Sequence, residues 1–374
     1  MEVFREKIMW LAIFAVSVLA AIAAALYLAK KIENTGVFAG INSRPVTKVL
    51  SITAVIAAAV ILCLLLDITN TIVIFTNVAV FMLVGDLVGL IIRKTSSSAV
   101  RPCIIDATAL TTCTVYLVIG WILMHGMWET DYSLSTTKNV GTITVAHIAD
   151  SHVGCGFSGK GFAERLEKIQ LTEPDVLVIT GDFVDDDTML SDMEDACAAL
   201  GKFKAKYGVY YCLGNHDMGY YSSGRRGYTG EQLIQSLEQS GVTVLKDESV
   251  LIDDRFYITG RLDADYGRAD RLDMADLVKD LDKEKYIIVL DHQPTDYDNE
   301  AAAGVDLVLS GHTHGGQLFP LEYIQPLISR NNNVRGHERR GNTDFIVTDG
   351  ISDWAVKFRT GCRSEFCLIN ITSL

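Results

Sequence analysis

The hydrophobic pattern changes character once along the chain, near residue 130. Before that point lie four long apolar runs, roughly Ile8–Leu28, Val46–Leu66, Thr69–Ile92 and Ile104–Trp128. Each is long enough for a helix that crosses a bilayer, which takes about 20 residues. The first run carries no charge over 21 residues. Arg5 and Lys7 precede it as they would in a signal peptide, but its length and the three runs that follow favour a retained span. After residue 140 the apolar residues fall into short β-rich runs and into helical spacing. Thr142–Ala149, Val176–Thr180, Val209–Leu213, Tyr286–Leu290 and Val305–Ser310 read as strands. Phe162, Leu166 and Ile169 share one helix face, as do Leu233, Ile234 and Leu237, and then Leu272, Leu277 and Leu281. Strands alternating with helices predict a layered α/β fold. The chain therefore divides into a four-helix transmembrane region at 1–128, a short polar linker at 129–140 and an α/β domain at 141–374.

Charge follows the same division. Residues 1–139 carry 10 Lys and Arg against 8 Asp and Glu, whereas residues 140–374 carry 23 against 38. The acidic half lacks the basic surface that displaces counterions from nucleic acid, so a nucleic-acid partner is not expected. With 49% apolar and 21% charged residues, the chain is not intrinsically disordered. The loop after the first run holds Lys30, Lys31, Arg44 and Lys48, and the loop after the third holds Arg93, Lys94 and Arg101. The short loop between the second and third runs holds no Lys or Arg. The positive-inside rule puts the basic loops in the cytoplasm, which makes this a multi-pass cell-membrane protein with its α/β domain outside. Asp86 and Asp106 lie within apolar runs. Helix–helix hydrogen bonding, aided by Thr71, Thr76, Asn77, Thr111 and Thr112, is preferred there over an ion pathway. No C-x-x-C pair occurs, which argues against a structural zinc site, and single buried thiols are preferred over a Cys362–Cys367 disulfide.

The strands share one feature: each ends in residues able to bind a metal. The first leads into Asp150-Ser151-His152, the second into Gly181-Asp182-Phe183-Val184-Asp185 and the third into Gly214-Asn215-His216-Asp217. The last two lead into Asp291-His292-Gln293-Pro294 and Gly311-His312-Thr313-His314-Gly315-Gly316-Gln317. Any one cluster reads equally well as a turn or a satisfied histidine. Five in succession, each directly after a strand, point to one site at the C-terminal ends of the strands.

These blocks resemble the calcineurin-like metallophosphoesterases over nearly all of residues 142–374. The resemblance implies a four-layer sandwich of two mixed sheets flanked by helices. It implies one metal ion bound by Asp150, His152, Asp182 and His314, and a second bound by Asp182, Asn215, His292 and His312, with Asp182 bridging. Carboxylate, amide and imidazole donors favour Mn²⁺, taken as the first expectation, with Fe or Zn²⁺ as alternatives. Two such ions bind phosphate oxygens and generate a bridging hydroxide that attacks phosphorus. His216, which is not a ligand in the family pattern, would protonate the leaving group, and Asp185 resembles the carboxylate that pairs with it in some relatives. A helix-capping role for Asp185 is equally compatible. Asp186 stands where Ser/Thr protein phosphatases carry an Arg, which argues against that activity.

The implied function is a membrane-anchored phosphodiesterase acting on a phosphodiester or pyrophosphate bond of an envelope lipid or lipid-linked substrate. The alternatives are a phosphatase or nucleotidase for small soluble esters, and a non-catalytic metal-binding membrane sensor. Arg225, Arg226, Arg330, Arg335, Arg339 and Arg340 are candidates for a basic rim around a phosphorylated substrate, with Tyr220, Tyr221, Phe319 and Tyr323 as apolar contacts.

Overall fold

The computed structural model describes residues 2–38, 40–95, 100–220, 222, 224–265 and 271–374. Tyr221 lies outside the described residues. The chain divides into two compact units, Met1–Ile119 and Gly120–Leu374.

In the first unit run the helices α1 (Glu2–Glu33), α2 (Arg44–Leu65) and α3 (Ile68–Thr95), and most of α4 (Pro102–His125). All four are long and apolar enough to cross a membrane, α1 over Phe14–Glu33. Pro45 sits in the first turn of α2, where a missing N–H costs nothing. The threonines expected to link helices instead bond within their own helices: Thr71 to the Asp67 carbonyl, Thr76 to Ile72 and Thr112 to Thr108. The polar links between helices centre on Lys31 and Asp86, beside an apolar cluster of Ala29, Val55 and Phe75. Lys31 of α1 pairs with Asp86 of α3 and, at 2.8 Å, with Asp106 of α4, while the Tyr27 hydroxyl donates to Asp86 at 2.7 Å. A charge in an apolar medium is tolerated only when paired in this way.

The second unit opens with a departure from expectation. Residues expected as linker form β1 (Trp128–Thr136). Then follow β2 (Thr142–Ile148), α5 (Gly159–Gln170), β3 (Val176–Thr180), α6 (Leu190–Leu200), β4 (Val209–Cys212), α7 (Gly230–Gln239), β5 (Val242–Leu245), β6 (Glu248–Ile252) and β7 (Phe256–Gly260). The chain continues through α8 (Met274–Leu277), β8 (Tyr286–Leu290), α9 (Tyr297–Ala302), β9 (Leu307–Ser310), α10 (Leu321–Ile328), β10 (Gly336–Arg340), β11 (Thr343–Val347) and β12 (Glu365–Ser373). The third expected helix shrinks to the single turn of α8. Met274 and Leu277 are buried there, but Leu272 lies outside it and is exposed.

The strands form two six-stranded sheets, in the orders β1-β12-β2-β3-β4-β5 and β10-β11-β9-β8-β7-β6. Side chains alternate between faces along each strand, and both faces are apolar. Ile143, Val145, Val176 and Val178 of the first sheet meet Ile258, Ile288, Leu290 and Leu307 of the second. On its other face the first sheet packs Ala146, Ile148, Leu177 and Ile179 against Phe162, Leu166, Leu200 and Leu237 of α5, α6 and α7. The second sheet covers its outer face with Met274, Leu277 and Tyr297. The result is a mixed, two-sheet α/β sandwich with helices on both sides. Strands β2, β3 and β4 are mutually parallel in one sheet, and β8 and β9 are parallel in the other.

Strand β1 pairs in parallel with β12 over nine residues. A fragment starting at residue 140 would lose that strand and leave β12 as an unpaired edge, which invites aggregation. We expect a fragment starting at Trp128 to stay monomeric and to melt several degrees higher than one starting at residue 140. Each kcal/mol corresponds to about 2–4 °C in a domain of this size. Size-exclusion chromatography and thermal melts of the two fragments check this.

Candidate metal centre

Five strands deliver the site. Asp150 and His152 follow β2, Asp182 follows β3, and Asn215 and His216 follow β4. His292 follows β8, and His312 and His314 follow β9. The backbone at these positions departs from ordinary geometry. Asp150, His152, Asp182, His312 and His314 all have φ between +37° and +70°. Non-glycine residues avoid this region because Cβ crowds the backbone, at a cost of about 1–3 kcal/mol each. Such strain persists where the surrounding structure holds it, and it turns these five side chains inward together.

Beside a group of Asp185, Asp186 and His216, two further groups of side chains result, each with donor atoms within 4.8 Å of one another: Asp150, His152 and His314, and Asp182, His292 and His312. Asp182 reaches both, with Oδ2 3.2 Å from His292 Nε2 and 3.6 Å from His152 Nε2. Asn215 Oδ1 joins the second group, 3.1 Å from His292 Nε2 and 3.0 Å from His312 Nδ1. His314 Nε2 lies 3.8 Å from Asp150 Oδ1. All seven expected ligand positions thus converge on one pocket.

The donor set fits divalent cations. The buried Nε2 of His152 makes no hydrogen bond among the described residues, an omission that normally costs free energy unless another group fills it. His292 contacts the Thr180 carbonyl through Nδ1 at 2.8 Å, which orients the ring with Nε2 toward the pocket. Burial pushes the pKa of His312 down to about 3 and holds His314 well below the ordinary imidazole value, so both are neutral donors. Burial alone would raise Asp182, but His292 and His216 beside it hold its carboxyl well below the usual range.

His216 stands apart from the two groups, its ring 5.1 Å from that of His152. Burial would lower its pKa, but Asp182, Asp186 and Asp185 outweigh that and push it up to about 9. Its closest carboxylate is Asp186, which pairs with Nδ1; Asp185 is 3.5 Å away. Asp185, expected beside His216, lies nearer to His152 Nδ1, at 3.3 Å. It caps no helix, since α6 begins five residues later at Leu190.

Several residues that frame the site have no role assigned by the sequence reading. Buried Asp217 accepts the N–H groups of Asp182, Phe183, Val184 and Gly214, at 2.6–3.3 Å, and so ties the loop after β3 to the loop after β4. Its signal was adjacency to Asn215-His216. Asp353 lies 3.8 Å from His314 Nδ1 and 3.7 Å from the fully buried Arg359, whose guanidinium also donates to the carbonyls of Asp349 and Arg363. Trp354, half exposed, stacks on His216 with ring centroids 5.9 Å apart. Asp291 does not face the pocket. It is buried between Arg261 and Arg271 and anchors the start of the His292 loop.

The comparisons decide the family. Residues 143–316 match the family described as calcineurin-like phosphoesterase. An uncharacterized metallophosphoesterase of Aquifex aeolicus is 34% identical over 199 residues, covering 51% of this chain and 71% of that protein. The chain belongs to the calcineurin-like metallophosphoesterases. An uncharacterized metallophosphoesterase of Campylobacter jejuni is 29% identical over 234 residues, covering 61% of this chain and 59% of that protein. A Bos taurus protein named as a transmembrane protein with a metallophosphoesterase domain is 27% identical over 292 residues, covering 73% of this chain and 62% of that protein. The matched part is therefore about three-fifths of the length of these last two relatives.

The arginines expected to form a basic rim around this metallophosphoesterase site are engaged with acids or carbonyls. Arg226 is buried and donates to the carbonyls of His216 and Asp217. Arg330 pairs with Asp265, Arg335 with Asp349, Arg339 with Asp344 and Arg340 with Asp298. Arg225 lies 3.7 Å from Asp187. The eight cysteines are all free thiols, Cys362 and Cys367 among them.

Gly214 permits the closest approach in the site. A Cβ there would lie 2.2 Å from Asp182 Oδ1 and 2.3 Å from the Asp182 backbone nitrogen. Gly214→Ala should destabilise the domain by about 1–3 kcal/mol, as overpacking does elsewhere, and should weaken metal binding. Thermal unfolding and metal titration of the variant test this.

Proposed function

We propose that the chain is a membrane-anchored, dinuclear-metal phosphodiesterase. Its substrate would be an envelope lipid or lipid-linked compound, cleaved at a phosphodiester or pyrophosphate bond. The observation that carries this reading is a buried donor set in two groups sharing Asp182, with His216 at its edge. Asp150, His152, Asp182 and His314 would hold one ion, and Asp182, Asn215, His292 and His312 the other. Mixed oxygen and imidazole donors suit Mn²⁺, Fe or Zn²⁺. Bound ions would supply Lewis acidity toward phosphate oxygens and an activated water near neutral pH.

The protein's own groups do the rest. Asp186 and Asp185 hold His216 in its charged form with Nδ1 engaged, which leaves Nε2–H for a substrate oxygen. As the bond from phosphorus to the leaving oxygen breaks, that proton passes to the leaving oxygen. Trp354 fixes the ring from the side. Asp217 and Arg226 keep the two loops in register, so that little rearrangement is needed during the reaction.

The four apolar helices support a membrane setting for the substrate, and the seven basic residues at or near the α1–α2 and α3–α4 connections support an outward-facing domain.

His216→Ala should lower hydrolysis of a chromogenic phosphodiester by about 10²–10⁴-fold while leaving bound metal unchanged. Asp182→Ala should remove both activity and metal. Parallel assays on a diester and a monoester, with Mn²⁺ and with chelator, beside metal analysis, check these outcomes. Preference for the monoester would replace the phosphodiesterase by a phosphatase, and two bound metals without turnover would favour a sensor. For orientation, a green fluorescent protein fused after Leu374 should stay dark in a bacterial host, because it does not mature after export unfolded. A fluorescent fusion would place the domain inside.

A further inference from the structure

Helix α10 is unlike every other helix of the catalytic unit: none of its residues is buried. Its sequence, LEYIQPLI, is nonetheless mostly apolar, with the one charge Glu322 lying 3.6 Å from Arg335. Phe319, Leu321, Tyr323, Ile324, Leu327 and Ile328 are all exposed, Leu327 at 83% and Tyr323 at 65%. A contiguous apolar face of this kind on a folded domain marks an interaction surface.

The neighbours of α10 narrow what that surface meets. On one side it sits on the metal-site loop: a Cβ on Gly316, two residues after His314, would lie 2.5 Å from the Glu322 Cα. On the other side, Gln317 and Phe319 bond to the segment 356–361. Gln317 Nε2 donates to the Val356 carbonyl at 2.9 Å, the Thr360 N–H donates to the Gln317 carbonyl at 2.9 Å, and the Phe319 N–H donates to Thr360 Oγ1 at 3.1 Å. The stretch 358–364 in turn clasps the last turns of α4, which belong to the same unit. The Arg359 N–H donates to the Gly120 carbonyl, the Ser364 N–H to the Leu123 carbonyl and the Ser364 hydroxyl to the Met124 carbonyl, while Phe358 meets Trp121 edge-on. Helix α4 is one of the four membrane-length apolar helices. Through one short segment, α10 is thus joined to the last turns of a membrane-length apolar helix.

We propose that α10 is an interfacial helix that lays its apolar face into the acyl region of the bilayer beside the exit of α4. Amphipathic helices that lie in the interface bury their apolar side about 5–10 Å into the headgroup and acyl boundary. The absence of an unmatched charge on α10 makes this an apolar contact that salt does not screen. Trp354, two residues before Val356, is half exposed and stacks on His216. Resting on the phosphoesterase reading above, the docked helix would present the site to phosphoesters held at the lipid surface.

A photoreactive benzophenone residue placed at Tyr323, and separately at Leu327, tests this in the full chain reconstituted in nanodiscs of phosphatidylethanolamine and phosphatidylglycerol. The same residue at Leu171, 84% exposed at the end of α5, is the control. After irradiation, mass spectrometry should find lipid adducts at both α10 positions and none at Leu171, at low and high salt alike. Absence of lipid adducts from both α10 probes in chains that retain the wild-type melting temperature would overturn the proposal. So would cross-links to a second copy or to a co-purified protein. No hydrolysis is read, so loss of the phosphoesterase reading would leave this result standing, and loss of α10 docking would leave the metal assays standing.

Discussion

Burying Asp150 and Asp182 side by side is the constraint around which the catalytic unit is built. Neither carboxylate reaches water, and a buried anion is tolerated only with compensating charge or hydrogen bonds. The sandwich meets this in two ways. It brings four imidazoles and an amide to the same pocket, from strands of both sheets. It also threads the Asp150 carboxylate onto the His312 backbone N–H at about 2.9–3.0 Å. That second contact couples the loop after β2 in one sheet to the loop after β9 in the other, so the site and the sheet packing hold each other in place.

A second tier of buried charge keeps the loops in their strained conformations. Asp217 gathers four N–H groups from two loops, Arg226 clamps the carbonyls behind His216, and Asp291 is held between Arg261 and Arg271. On the far side, Arg359 holds the turn at 349–353 that carries Asp353 toward His314. None of these groups is itself one of the seven donors. Their work is to hold positive φ at five candidate ligand positions, which is how a protein keeps a site preorganised before anything binds.

This division explains what the sequence made legible. The donor residues each sit directly after a strand whose apolar run is visible alone, so strand and ligand could be read together, and β3 and β8 fall on the expected residues. Contacts that depend on distant segments could not be read that way. Asp353 and Trp354 reach the site from a turn far along the chain from Gly214-Asn215-His216, and no local pattern marks them. The choice between Asp185 and Asp186 beside His216 turns on loop geometry that sequence spacing does not encode. The sequence of β1 reads as linker because it is mostly polar; only pairing with β12, at the opposite end of the domain's sequence, makes it a strand. Leu272 fitted a helical period, but the chain there is held outside the helix by its N–H bond to Asp247, so the helix starts later.

The arginines carry the same lesson toward function. Counted along the sequence, six of them crowd the loops near the site and suggest an electrostatic grip on phosphate. In the fold, five are committed to acids or carbonyls at hydrogen-bond or ion-pair distance, and the sixth, Arg225, faces Asp187. A surface whose cations are already matched attracts an anionic substrate weakly at long range. What the site's surroundings offer instead is apolar area, on α10 and at Trp354. Under the proposed function, selectivity built on such area would favour a substrate that brings its own hydrophobic part.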